Sequence, residues 1–380
     1  MLSRRQGLKA AFALAGAAAL DARPGRAAPA ATPPVVVSLS ERRSRYLLDV
    51  SIEGRGGYQF VLDTGASTYF VSERVVEALA LPRVAQRRVR GYDGRRATDL
   101  VAIARFAAGG VELGPVRAVA WSPERLEGHD GLIGYPFLFP QALVDLGRGE
   151  LSLRTPPASP VTAVAAQVLA DQTLLVGGLA GAPGRFVFDT GAQDCIVSPA
   201  YFRRIASAQD YLDATKLIYR RADGTAETAA FRPRELAFGE LRIPGPVVRV
   251  GRADGREGVF HQVDGLFGVS QIRRYAWALD QQARTLKATD AGLQAAGWHG
   301  SGLRLERDGA GGARVAAAAE DGPAFEAGVR PGQPVLGVGG HPPERWDEVE
   351  RPRDRPSAQM LEVVDRGVRR RIAFETRVLI

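Results

Sequence analysis

The chain has 380 residues, 44 of them Gly and 24 Pro, and nearly half of its residues are apolar. That length calls for two or three domains, and the composition is turn-rich and strand-rich, which excludes a disordered chain. The formal net charge of +8 comes almost wholly from scattered Arg; without an aromatic-interleaved basic helix or a nucleic-acid motif, no nucleic-acid partner is expected.

In chain order, residues 1–30 read as an export signal. Ser3-Arg4-Arg5-Gln6-Gly7-Leu8-Lys9 leads into an Ala-rich apolar run over 10–20, followed by Ala28-Pro29-Ala30. A charged segment, a short apolar segment and a small-residue cleavage region make that pattern. The paired arginines resemble a twin-arginine signal, with Gly7 where a bulky apolar residue is usual. General secretory export stays open, as does a short buried helix at a true N-terminus. The run is well short of the roughly 20 residues that span a bilayer, and nothing later is longer. No membrane span is expected, and the mature protein is expected in a bacterial periplasm.

The middle of the chain repeats itself. Phe60-Val61-Leu62-Asp63-Thr64-Gly65-Ala66 returns as Phe186-Val187-Phe188-Asp189-Thr190-Gly191-Ala192, and Asp130-Gly131-Leu132-Ile133-Gly134 returns as Asp264-Gly265-Leu266-Phe267-Gly268. The first pair is offset by 126 residues and the second by 134, a difference that one loop insertion absorbs. Leu47-Leu48 and Leu174-Leu175 open a strand before each Asp-Thr-Gly, and Phe70-Val71-Ser72 and Ile196-Val197-Ser198 follow. Gly91-Tyr92-Asp93-Gly94 and Ala222-Asp223-Gly224 stand at hairpin tips, and the Pro-rich stretch 155–160 reads as the connection between copies. Two lobes are expected, at 31–156 and 157–292.

Each Asp ends a strand that is apolar at every position and hence buried on both faces. An isolated carboxylate there is costly unless paired. Thr beside it offers a hydroxyl, and Gly lets another segment approach the backbone closely. Two such units about a pseudo-two-fold axis bring two carboxylates together, and such a pair shares a proton and titrates as a unit. One carboxylate then activates water while the protonated other polarises a peptide carbonyl. His129, His261, His299 and His341 are scattered without metal-ligand spacing, so no metal and no cofactor is expected.

Asp63-Thr64-Gly65 with Leu132-Ile133-Gly134, and Asp189-Thr190-Gly191 with Leu266-Phe267-Gly268, resemble the retropepsin-like and pepsin-like aspartic peptidases over residues 35–290. Ala66 and Ala192 after the glycines, and the shortness of each copy, place the resemblance nearer the retropepsin-like type. It implies a mainly β fold of two acid-protease β-barrel lobes, with Asp63 and Asp189 catalytic and polypeptides as substrates. It also implies that Thr64, Gly65, Thr190 and Gly191 support the active-site loops, the Thr hydroxyls cross-linking them. Where the first copy has Ser67-Thr68 the second has Gln193-Asp194; Asp194 alters the proton sharing or, as exposed acids are the norm, faces solvent. Tyr92 is a flap candidate or an exposed aromatic in a turn. The arginines around it favour acidic substrates or form a solvated face. Cys195, the single cysteine, reads as a buried small hydrophobe.

Residues 293–380 form a different module. The stretch 322–340 reads as a short helix capped at Gly328, a Pro331-Gly332 turn and an apolar strand ending at Gly339-Gly340. It resembles bacterial PDZ domains, with Gln333 where Asp is common and Gly339 where Asn is common. A small α+β PDZ-like domain follows, closed by strands over 359–364 and 369–374, with Gly302 and Leu303 in the candidate loop for peptide C-termini. The alternatives are a packing domain without a ligand and, for the whole chain, a non-catalytic periplasmic peptide-binding protein.

Overall fold

The computed structural model describes residues 34–42, 45–91, 94–123, 126, 128–154, 161–179, 181–206, 215–224, 226–251, 260, 262–293, 299–307, 312–340 and 357–379. The expected signal at 1–30, the flap candidate Tyr92 and the connection at 155–160 lie outside the described residues.

The strands Arg45–Ile52 and Arg55–Asp63 form a hairpin that turns at Glu53 and Gly54, both at positive φ. Leu47 faces Val61 across it, and Phe60, Val61 and Leu62 are buried. They are covered because Arg55–Asp63 also pairs in parallel with Gly131–Gly134, bringing Asp63 level with Gly134. The second copy repeats this with Thr173–Leu179 and Ala182–Phe188, Leu174 facing Val187, and Phe186–Phe188 parallel to Gly265–Phe267. The fold is mainly β, in two lobes.

A six-stranded sheet joins the copies. Val35–Ser38, Gln141–Asp145 and Glu150–Leu153 come from the first; Thr162–Ala163, Tyr275–Asp280 and Thr285–Asp290 come from the second. Val144 lies opposite Trp277 at the seam. Trp277 meets Phe188 and Phe267 edge-on at 5.1 and 5.5 Å, and its indole N–H donates to the Ile272 carbonyl at 2.7 Å. One apolar cluster runs from Val37 through Phe60 and Tyr135 to Phe188, Phe267 and Ala288. The lobes therefore share a core.

Two hairpins stand at corresponding places, Arg83–Gly91 with Gly94–Ala108 and Thr215–Arg221 with Ala226–Arg232. The second continues into the C-terminal segment: Arg220 pairs with Ala318 and Arg221 with Ala317. There the strands Leu303–Arg307, Ala313–Ala318, Pro334–Val338, Ala358–Asp365 and Val368–Glu375 close around Leu305, Val315, Val329, Val335 and Leu361. The helix Pro323–Glu326 lies between them, and the turn after it reaches Gly328 at φ 105°. Among the described residues no helix is long and apolar enough to cross a membrane.

Candidate active site

Asp63 and Asp189 end equivalent strands, and the loops behind them interlock. The Thr64 hydroxyl donates to the Phe188 carbonyl at 2.7 Å and accepts the Thr190 N–H at 2.9 Å. Reciprocally, the Thr190 hydroxyl donates to the Leu62 carbonyl at 2.7 Å and accepts the Thr64 N–H at 3.0 Å. Both threonines are fully buried, so four buried backbone groups find hydroxyl partners in the other lobe.

The glycines explain themselves by what lies over them. A β-carbon on Gly65 would stand 2.6 Å from the carboxyl carbon of Asp189, and one on Gly191 would stand 2.4 Å from that of Asp63. Each carboxyl thus lies flat on the other loop's backbone, and the pair meets across the pseudo-two-fold axis. Asp63 accepts N–H bonds from Gly65 and Ala66 at 3.0 and 3.1 Å; Asp189 accepts those of Gly191 and Ala192 at 2.8 and 3.1 Å. Gly134 and Gly268 admit the loops from below, since a β-carbon would strike the carbonyls of Thr68 and Asp194.

Electrostatically the pair is unequal. The surrounding protein strips water from both carboxyls although each keeps part of its surface exposed, and desolvation raises both. For Asp189 the charge on Asp63 adds to desolvation and pushes it up to about 8. For Asp63 the opposing influences are the positive charge of Arg45 and a side-chain hydrogen bond with Asp189. The ground state that fits is an ionised Asp63 accepting a proton-bearing Asp189.

The second motif supplies a brace on each side. Asp130 accepts the Gln59 N–H at 2.9 Å and pairs with Arg74 at 2.6 Å; Asp264 accepts the Arg185 N–H at 2.9 Å and pairs with Arg204 at 3.1 Å. These acids hold the strands that carry the paired carboxyls. Sequence reasoning singled out the acids but not Arg74 or Arg204, whose positions do not share an offset. Asp194 corrects an expectation. Its side chain is only 14% exposed and pairs with Arg249 at 3.0 Å, because Cys195–Val197 runs parallel to Val248–Val250 and sets Arg249 opposite Ile196. Cys195 is fully buried, and burial pushes its thiol up, away from nucleophilic reactivity.

At the C-terminal segment, Gly302 takes φ 72° and packs on Gly322, and Leu303 is buried. The Leu303 N–H donates to the Ser301 hydroxyl at 3.1 Å, and the Ala324 N–H donates to the Ser301 carbonyl at 3.2 Å. A peptide carboxylate bound at Leu303 has to displace that hydroxyl.

No curated protein matches the chain. Residues 48–137 and 175–270 match the model of a family described as aspartyl protease, one stretch carrying Asp63 and the other Asp189. These two matches support the aspartyl peptidase family for the two-lobed body of the chain.

Proposed function

We propose that the chain is an aspartic-type endopeptidase whose catalytic pair is Asp63 and Asp189. The observation that carries this reading is the mutual seating of the two carboxyls on each other's glycine, with Asp189 raised far above the ordinary range. Ionised Asp63 takes a proton from a water held between the carboxyls as the water oxygen attacks the peptide carbonyl carbon. Asp189 gives its proton to the carbonyl oxygen, producing a gem-diol. In the return step Asp63 protonates the amide nitrogen and Asp189 recovers the hydroxyl proton. The C–N bond breaks, and the pair is restored to its starting charge.

The segment 293–380 fits a PDZ-like domain that regulates the cleft. Its strand Ala313–Ala318 extends the second lobe's hairpin rather than hanging on a tether. Ala317 and Ala319 pack with Leu217 and Tyr219, and Glu320 pairs with Arg220 at 2.8 Å. We place the mature protein in the periplasm on the signal-like residues 1–30, which fractionation of the expressing cells tests.

Cleavage of casein by mature protein across pH 3 to 8 tests the function, beside Asp63→Asn and Asp189→Asn shown to be folded. Activity in the parent that both variants lose, and that a statine-type inhibitor blocks, supports the mechanism; activity surviving either substitution refutes the pair. A folded parent that binds peptides without cutting them instead supports a peptide-binding protein.

A further inference from the structure

The two halves of the cleft differ at one place where a charge acts on the carboxyls. In the first lobe Leu47 faces Val61, so the pairing carried two residues further sets Arg45, the first residue of its strand, opposite Asp63, the last of its own. Residues opposite one another on adjacent strands share a face and lie about 5 Å apart at their β-carbons. In the second lobe Leu174 faces Val187, and the residue two before Leu174 is Gln172, in the turn closed by the bond from the Leu169 N–H to the Gln172 carbonyl. One lobe thus offers a guanidinium where the other offers an amide. Arg45 is half-buried.

The parallel strands contribute Gly134 and Phe267. The Asp-Thr-Gly loops contribute N–H groups. Asp194, further along the second loop, is paired with Arg249. Arg42, opposite Arg45 on the strand Ser40–Arg42, is exposed. Arg45 opens the strand paired with the one that Asp63 ends, and its positive charge acts on both carboxyls.

Resting on the proposed peptidase reading, we propose that Arg45 is a positioning residue for the reaction: the guanidinium that the first lobe alone supplies holds the shared negative charge on Asp63, fixing Asp63 as base and Asp189 as acid, and keeps the pair singly ionised in more acidic solution. Its positive charge lowers both carboxyls against the desolvation that raises them. A cationic neighbour lowers a carboxyl by about one to three units. Removing it moves the acid limb of kcat/KM to higher pH, and below that limb a shift of about one unit costs about tenfold in rate.

The test compares the full mature chain with Arg45→Gln, which copies Gln172, and Arg45→Lys, which keeps the charge. The pH profile of kcat/KM on an unstructured protein is read together with carbon-13 NMR titration of the carboxyls of labelled Asp. The expected result is an acid limb moved up by about one unit or more in Arg45→Gln, a smaller move in Arg45→Lys, and a matching rise of the lower carboxyl titration. If Arg45→Gln folds and both limb and titration stay at the parental values, the proposal is overturned. Should the parent show no cleavage, the peptidase reading fails, while the NMR titration still decides whether Arg45 acts on the pair.

Discussion

Replacing Thr64 by Val keeps the shape of the side chain and removes only its hydroxyl. Two bonds vanish with it, the one to the Phe188 carbonyl and the one from the Thr190 N–H. Both partners lie in the other lobe, and Thr64 and Thr190 are fully buried, so no water replaces the loss. A buried polar group left without a partner costs about 1–3 kcal/mol, which sets the penalty at about 2–6 kcal/mol for the pair. That is a large part of the 5–15 kcal/mol typical of folded domains, so a chain of ordinary stability survives it but with a clearly lower midpoint. Thr64→Ser keeps the hydroxyl and loses a methyl group, for about 1 kcal/mol. Urea unfolding followed by fluorescence reads both, Trp277 at the seam between the lobes serving as reporter. A Thr64→Val variant no less stable than Thr64→Ser refutes the claim that these hydroxyls hold the lobes together.

Gly65→Ala and Gly191→Ala each push a β-carbon into the opposite carboxyl; each variant is expected to fold and to lose about 100-fold or more in kcat/KM, as displacements near 1 Å do, and full activity in either would contradict the seating of the pair. Stability should fall as pH rises between about 4 and 8, because the folded chain holds a proton on Asp189 that the unfolded chain releases near the ordinary 3.8; calorimetry on the parent and Asp189→Asn should find the slope flattened in the variant. Ala317→Asp buries an unpaired charge against Leu217 and Tyr219, so hydrogen exchange over 215–232 should speed up while Leu62 and Phe188 stay protected; unchanged exchange in a folded variant would mean that the C-terminal segment does not brace the hairpin.

The parts of this arrangement legible in the sequence were the local ones. A repeated apolar strand ending in Asp-Thr-Gly carries its meaning within seven residues, and its recurrence at nearly constant offset announces two lobes without any knowledge of pairing. Arg45 carries no such mark. It stands eighteen positions before Asp63, and the register that brings the two strands together shifts by one at a bulge between Val50 and Ile52; a count outward from the turn at Glu53-Gly54 sets Arg45 opposite Leu62 instead, so the sequence alone does not find it. Asp194 was misplaced for the same reason, since its partner Arg249 arrives by a parallel pairing more than fifty residues away. The junction of Thr215–Arg221 with Ala313–Ala318 spans nearly a hundred residues, and neither strand's pattern specifies the other.

What those missed features share is that they occur once. The hydroxyl bonds, the seated carboxyls and the Arg-braced acids come in pairs, one in each lobe. The position of Arg45 in the first lobe is taken by Gln172 in the second, and the C-terminal segment pairs with the second hairpin. A cleft built from two separate identical chains has to present any such feature twice or not at all, because each residue reappears through the symmetry. Joining the copies in one chain removes that constraint. The paired features serve the symmetric requirement, two carboxyls brought together. The single ones serve requirements that symmetry forbids: setting a positive charge beside one carboxyl rather than both, and pairing a further strand with one hairpin of the two.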